Sequence, residues 1–146
     1  MKVKDAMTRQ VRIAAPDDTI RHAAAAMAML DAGVLPVGEK DRLVGMITDR
    51  DIAIRGVAEG KGPDTPVRDV MTPDVKYCFD DQEVGEVIQN MGDIQVRRLP
   101  VVNRDKRVVG ILSLGDIAIM ADGGGRQTAQ ALNKISQPGG THTQTG

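Results

Sequence analysis

Apolar positions along this chain change period several times, and each change marks an element. Over residues 19–31 they fall at Ile20, Ala23, Ala24, Met27 and Leu30, the spacing of one helical face. Pro16-Asp17-Asp18 supplies a turn and a helix start, and Gly33 can end the helix. Residues 34–37 and 43–47 are continuously apolar instead of alternating, which fits strands buried on both faces, with a hairpin turn over 38–41. A short strand is expected over 10–13. A second helix is expected over 49–57, with Ile52, Ala53, Ile54 and Val57 as its apolar positions. Residues 59–66 carry two Gly and two Pro and read as a linker.

The second half follows the same script. A strand is expected over 75–79 and a helix over 83–92, with Val84, Val87, Ile88 and Met91 on one face. A hairpin follows over 99–102 and 108–112. A closing helix over 116–121 ends at Gly123-Gly124-Gly125. Residues 126–135 have the pattern of a further short helix, with Ala129, Leu132 and Ile135 on one side. From Ser136 the chain is mainly Gly, Thr and Gln, a composition that buries too little to fold.

The parallel is an internal repeat. Val3-Lys4-Asp5-Ala6-Met7-Thr8 returns as Val67-Arg68-Asp69-Val70-Met71-Thr72, and Leu35-Pro36-Val37 as Leu99-Pro100-Val101. Gly45-Met46-Ile47-Thr48-Asp49-Arg50-Asp51-Ile52 returns as Gly110-Ile111-Leu112-Ser113-Leu114-Gly115-Asp116-Ile117. Two copies are too few for a solenoid and imply a pseudo-two-fold pair of α/β units. The division is residues 1–58 for repeat one, 59–66 for the linker, 67–122 for repeat two and 123–146 for a tail.

In each copy of the last motif a strand ends at a hydroxyl and a helix begins there. The hydroxyl and a carboxylate three residues on therefore share the first helical turn, beside spare backbone N–H groups. Two readings of Thr48-x-x-Asp51 and Ser113-x-x-Asp116 stand side by side. They are capping boxes, stabilising a helix start by about 0.5–2 kcal/mol, or they hold the ribose and phosphate of a nucleotide. Thr8 and Thr72 also recur, and a turn or cap role suits them best.

Composition narrows the classes. The chain is 41% hydrophobic, but Tyr77 and Phe79 are its aromatics, so the core must be aliphatic. Stacking platforms for single-stranded nucleic acid are therefore missing. A net charge of −1 gives no global attraction to DNA, RNA or an anionic membrane. The lone Cys78 allows no internal disulfide, which fits a reducing cytoplasm. The N-terminal residues do not read as a signal peptide, and no apolar run is long enough to span a bilayer. His22, Cys78 and His142 are scattered and lie in different elements, so no metal is expected. Neither a P-loop nor a nucleophile pair is visible, so the chain is not expected to be an enzyme.

Asp-x-Met-Thr, then Leu-Pro-Val, then Gly-x-[Ile/Leu]-[Thr/Ser]-x-x-Asp-Ile, in order and twice, resembles the CBS domain, the module named after cystathionine β-synthase. The resemblance covers residues 3–122 and is to the small stand-alone bacterial pair, or Bateman module. Ile47–Ile52 and Gln95–Val101 are similar to the group that includes hypoxic-response proteins. It implies an α/β (α+β) fold of two repeats, each β-α-β-β-α, packed into one module. It implies an adenosyl ligand (AMP, ADP, ATP, NAD or S-adenosylmethionine), a homodimer, and a role in signalling ligand state to an unidentified effector protein. The alternative is a dimerisation module without ligand, its Thr/Ser-x-x-Asp motifs acting as caps alone.

The resemblance also implies roles. Asp51 and Asp116 match aspartates that accept from ribose hydroxyls; Thr48 and Ser113 match hydroxyls near ribose or phosphate. Arg97 and Arg98 resemble a basic pair that reaches phosphate in the AMP-sensing subunit of AMP-activated protein kinase. Arg suits that task through its planar fork, although a solvated strand edge would also place two arginines there. Gly33 and Val34 stand at these positions in copy one, so two unequal clefts are expected. Arg55 reads as an ion-pair partner of Asp49 or Glu59, and Arg50 stays open between pairing and phosphate.

Overall fold

The computed structural model describes residues 1–119, 130, 131 and 133–135. In chain order the elements are α1 (Val3–Ala6), α2 (Ile20–Leu30), β1 (Val34–Glu39), β2 (Arg42–Thr48) and α3 (Asp49–Asp51). A π turn (Ile52–Gly56) and 3-10 turns (Val57–Glu59 and Val67–Asp69) follow. Then come β3 (Thr72–Pro73), β4 (Cys78–Phe79), α4 (Val84–Ile94), β5 (Arg98–Val102), β6 (Val108–Ser113) and α5 (Leu114–Ile119). The class is mixed α/β, with two three-stranded sheets ordered β1-β2-β3 and β4-β5-β6. The end of the closing helix, the glycine run and the tail from Ser136 lie outside the described residues.

Two compact units divide the chain, and they are not the two halves of the sequence. One contains Met1–Gln10 and the chain from Lys76; the other is Val11–Val75. Each has its own aliphatic core. The first gathers Val3, Ala6, Ile88, Met91, Leu99, Leu112 and Ile117, and the second Ile20, Ala23, Leu35, Val37, Ile47, Val67 and Val70. The leading segment of each repeat thus completes the unit built by the other repeat's helix and hairpin.

The attachments match bond for bond. Val3 N–H donates to the Gln82 carbonyl and Lys4 N–H to Asp80; Val67 N–H donates to Asp18 and Arg68 N–H to Pro16. Farther along, Thr8 bridges Ile111 in β6, and Thr72 pairs with Met46 in β2. Glycine makes these crossings possible. A Cβ at Gly110 would stand 2.7 Å from both the Thr8 carbonyl and the Met7 sulfur; at Gly45 it would stand 2.8 Å from the Thr72 carbonyl. Two motifs distant in sequence are therefore one contact: the Met-Thr segment lies across the glycine of the other copy.

Several expected elements differ. Residues 9–13 join no strand; Ala14 bridges Val37 in parallel, as Cys78 does Val101. The chain passes from one unit to the other between Gln10 and Val11, so a run there straddles the units and pairs with neither sheet. Strand β4 is cut to two residues because the second passage, after Val75, falls within the expected run. Asp31, not Gly33, ends α2 in the left-handed conformation, with φ 51°, and Gln95 does the same for α4 at 60°. The first hairpin turns at Lys40 and Asp41, both with positive φ, as a tight two-residue turn requires. The described part of the C-terminal helix packs on α4: Lys134 pairs with Asp93 at 2.7 Å, and Ala131 and Ile135 are buried.

Candidate functional site

Copy one of the hydroxyl–aspartate motif is a complete capping box. Thr48 is extended (φ −116°, ψ 161°) and 2% exposed. Its hydroxyl accepts from Asp51 N–H at 2.9 Å, and Asp51 Oδ2 accepts from Thr48 N–H at 3.1 Å. A buried β2 strand therefore turns into α3 with two orphan donors satisfied reciprocally. Beside it, Asp49 N–H donates to the Gly33 carbonyl at 3.0 Å, and the Asp49 carboxylate lies close over Gly33, where a Cβ would be 3.0 Å from Oδ2. Gly33 serves this close approach, not the helix end.

Copy two makes half the box and diverts the rest. Asp116 N–H donates to Ser113 Oγ at 3.1 Å, as in copy one. Asp116 Oδ2, however, accepts from the Thr8 hydroxyl at 3.2 Å. Thr8 arrives there because its N–H and carbonyl pair with Ile111 at 2.9 and 3.0 Å. Arg98 stands opposite Ser113 in the β5–β6 ladder, and the Arg97 carbonyl accepts from Leu114 N–H at 3.0 Å. So Arg97, Arg98, Ser113 and Asp116 fold in one unit, at the ends of adjoining strands, while Thr48 and Asp51 fold in the other. Arg98 is half-buried and Arg97 exposed.

At matched positions the two motifs carry opposite charge. Gly33 and Asp49 in copy one correspond to Arg97 and Leu114 in copy two, joined by the same 3.0 Å backbone bond. Copy two thus offers guanidinium groups where copy one offers a carboxylate, the arrangement an anion would need. Arg55 makes no use of Asp49 or Glu59. It donates to the Met71 carbonyl at 2.9 Å from the π turn, while Glu59 pairs with Lys61 at 3.2 Å. Sequence reasoning missed Thr8 as a partner of Asp116; the repeated Met-Thr before a repeated glycine was the signal, without the knowledge of which copy it would cross.

Cys78 is 3% exposed, and burial, with Asp80 nearby, pushes its thiol up to about 12. At neutral pH it is a small hydrophobe and no nucleophile. Asp81, just ahead of α4, is paired: Arg104 forks onto it at 2.7 and 2.8 Å, stacks over Phe79, and holds the Asp81 carboxyl below its ordinary range. No helix among the described residues is long and apolar enough to cross a membrane.

The comparisons with known proteins come from three directions. The family model described as CBS domain matches twice, over residues 3–56 and 67–121. The CBS domain-containing protein YhcV of Bacillus subtilis is 42% identical over 117 residues, 80% of this chain and 83% of the relative. Hypoxic response protein 1 of Mycobacterium tuberculosis is 39% identical over 117 residues, 79% of this chain and 81% of the relative. The crystal structure of Hypoxic Response Protein I overlays with a TM-score of 0.75 at 36% identity, over 83% of this chain and 99% of that one. The CBS domain pair of protein MJ0100, solved with 5′-methylthioadenosine and S-adenosyl-L-methionine, overlays with a TM-score of 0.72 at 30% identity, over 82% and 94%.

One expectation is overturned here. No metal was expected, yet the Hypoxic Response Protein I structure holds two coordinated zinc ions. The expectation rested on spacing along the sequence, which is blind to ligands that folding or a second chain brings together. Among the described residues of this chain, no group of three or more His, Cys, Asp or Glu is placed to hold a metal ion. Two matched family segments in one chain, with a stand-alone relative of the same length class and structural overlays across most of the chain, make the identification: the chain belongs to the CBS-domain family, as a tandem pair.

Proposed function

We propose that this protein is a regulatory module, without catalytic activity of its own, that binds an adenosyl ligand at the second copy of its hydroxyl–aspartate motif. The observation that carries the reading is the grouping of Asp116, Ser113, Arg97 and Arg98 in one unit with no acidic counterpart to Asp49. Asp116 accepts from ribose hydroxyls, Ser113 lies beside them, and Arg97 and Arg98 reach phosphate. AMP, ADP, ATP, NAD and S-adenosylmethionine share the adenosyl part; the two arginines favour the phosphorylated members. The adenosyl ligands in the MJ0100 pair support the class of ligand. Thr48 and Asp51 are the corresponding positions of a second, weaker site, where Asp51 has one oxygen already committed to the box.

The protein acts as a homodimer, its ligand state read by an effector protein. Exposed apolar side chains support the self-association: Met29 on α2 and Val57 beyond the π turn, both in one unit, are 81% and 68% exposed. A ligand that favours one of two arrangements of the pair would shift the population by its differential affinity.

The test is thermal unfolding of the purified full chain with AMP, ADP, ATP, NAD and S-adenosylmethionine. A ligand at about a hundred times its Kd adds roughly 2.7 kcal/mol of apparent stability. The expected result is a clear rise with a phosphorylated adenosyl ligand, abolished in Asp116→Ala and weakened in Arg97→Ala/Arg98→Ala. A flat response to the whole panel overturns the reading. It would favour the module without ligand, for which the closed box at Thr48 and Asp51 is the supporting observation.

A further inference from the structure

We infer that Thr8, contributed by the N-terminal segment, is a positioning residue for the Asp116 carboxylate and sets the preference of the second-copy site for a ribose over a sugar without its 2′ and 3′ hydroxyls. The inference rests on the adenosyl reading above and deepens it.

A carboxylate on a helix's first turn has two other outcomes, and copy one displays the first: it folds back onto the N–H of its own cap residue. The second is rotation into solvent. Asp116 does neither. Its Oδ2 is held by the Thr8 hydroxyl at 3.2 Å, and an ionised carboxylate only accepts, so the threonine must donate. A carboxylate has about four lone-pair sites, so this bond leaves Oδ1 and part of Oδ2 for a ligand's hydroxyls. The angle of the carboxylate is fixed before the ligand arrives, which lowers the ordering cost of binding.

Thr8 is itself held from several sides. It is locked to Ile111 by two backbone bonds, and Met7 and Thr8 cross closely over Gly110. Upstream, α1 buries Val3 and Ala6 in the unit's core, and Lys2 pairs with Glu83 at 2.7 Å. The residue is therefore delivered by a docked segment and not by a loose end. At the matched position Thr72 pairs with Met46, but Asp51 turns to Thr48 instead. The chain thus contains its own control.

Calorimetric titration of the full chain with AMP and with 2′,3′-dideoxy-AMP reads the role directly. Thr8→Val should weaken AMP about three- to tenfold, the worth of one ordinary hydrogen bond, because the lost bond orients the carboxylate and does not itself touch the ligand. Thr8→Ser should bind within about twofold of the wild type, because it restores the donor. Thr72→Val should leave AMP binding unchanged. With the dideoxy nucleotide, the gap between wild type and Thr8→Val should close, since the hydroxyls that Asp116 would receive are gone. Equal AMP binding by wild type and Thr8→Val overturns the inference, as does a gap that persists with the dideoxy nucleotide or a loss that serine does not restore. If the wild type binds no nucleotide of the earlier panel, the adenosyl reading falls, and this inference with it; wild-type binding that ignores Thr8 removes the positioning role alone.

Discussion

The two copies of the hydroxyl–aspartate motif use the same spacing for different ends. At Thr48 and Asp51 both side chains bond to the helix start, the hydroxyl is buried, and Asp49 adds negative charge beside them. At Ser113 and Asp116 the helix keeps one bond of the box, the carboxylate turns to Thr8, and two arginines stand where copy one has Gly33 and Val34. The capping box is thus complete in one copy and partial in the other. Both copies receive a threonine from a distant segment, and they differ in whether the aspartate turns to that threonine or back to its own cap residue. Copy one is built to hold a helix, and copy two retains acceptor capacity that local folding does not use.

The sharpest way to break this comparison is at the glycines that let the distant segments cross. Gly110→Ala puts a methyl 2.7 Å from the Thr8 carbonyl, and Gly45→Ala puts one 2.8 Å from the Thr72 carbonyl. The obstacle is backbone, so each should cost about 1–3 kcal/mol of stability in denaturant unfolding. Only Gly110→Ala also displaces the donor to Asp116. Nucleotide affinity, measured where both variants remain folded, should therefore fall in Gly110→Ala and hold in Gly45→Ala. An equal fall in both would mean that crossing as such, and not the Thr8 bond, supports the site.

A smaller effect separates the caps. Thr48→Ala removes an acceptor from a buried, reciprocal box and should cost about 1–2 kcal/mol, the upper part of the capping range. Ser113→Ala removes an acceptor from a half-buried, one-way cap and should cost about 0.5–1 kcal/mol. Chemical denaturation of the two variants checks the order. Should Ser113→Ala prove the costlier, copy two would be the better cap, and the contrast drawn from the hydrogen bonds would invert.

Much of this was legible along the chain. The helical stripes over 19–31 and 83–92 became α2 and α4, since a three-to-four spacing of apolar residues leaves few other ways to bury them. The hairpins followed from pairs of continuous apolar runs with a turn between them. The hydroxyl–aspartate positions, and the lack of a basic pair in copy one, could be read off directly. The exchange of leading segments could not. Val3–Thr8 and Val67–Thr72 are nearly the same sequence, so the pattern alone does not say which glycine each segment crosses. Nor could Asp116 be separated from Asp51: what distinguishes them is the partner each carboxylate takes, its own cap residue for Asp51 and a threonine 108 positions away for Asp116. Asp31 and Gln95 in the left-handed conformation were hidden for a different reason. Local propensity would assign that job to the glycine two residues after Asp31, and tertiary packing over Asp49 claims Gly33 first.

The smallest effect tests how the N-terminal segment is held. Lys2 and Glu83 bridge where copy two's segment has Pro66 against Thr19, so charge anchors one segment and not its twin at that point. The hydrogen bond from Lys2, then that from the N-terminal amine, holds the Glu83 carboxyl below its ordinary 4.5, and Glu83 in turn raises Lys2 above 10.5. A depressed carboxylate contributes its full stabilisation above its unfolded value and loses it as pH falls through the folded one. A raised lysine contributes below its unfolded value and loses it as pH rises through the folded one. The contribution of the Lys2–Glu83 pair should therefore be level between about pH 4.5 and 10.5, and fade below the lower bound. All partners are exposed, so the change is local and small. Hydrogen exchange at the Val3 and Lys4 amides, corrected for intrinsic rate, should rise between pH 6 and pH 3.5. Glu83→Gln should raise it already at pH 6, while the matching amides of Val67 and Arg68 stay at their wild-type rates. If Glu83→Gln leaves Val3 and Lys4 as slow as before, the buried Val3 and Ala6 hold the segment unaided, and Thr8 reaches Asp116 by packing alone.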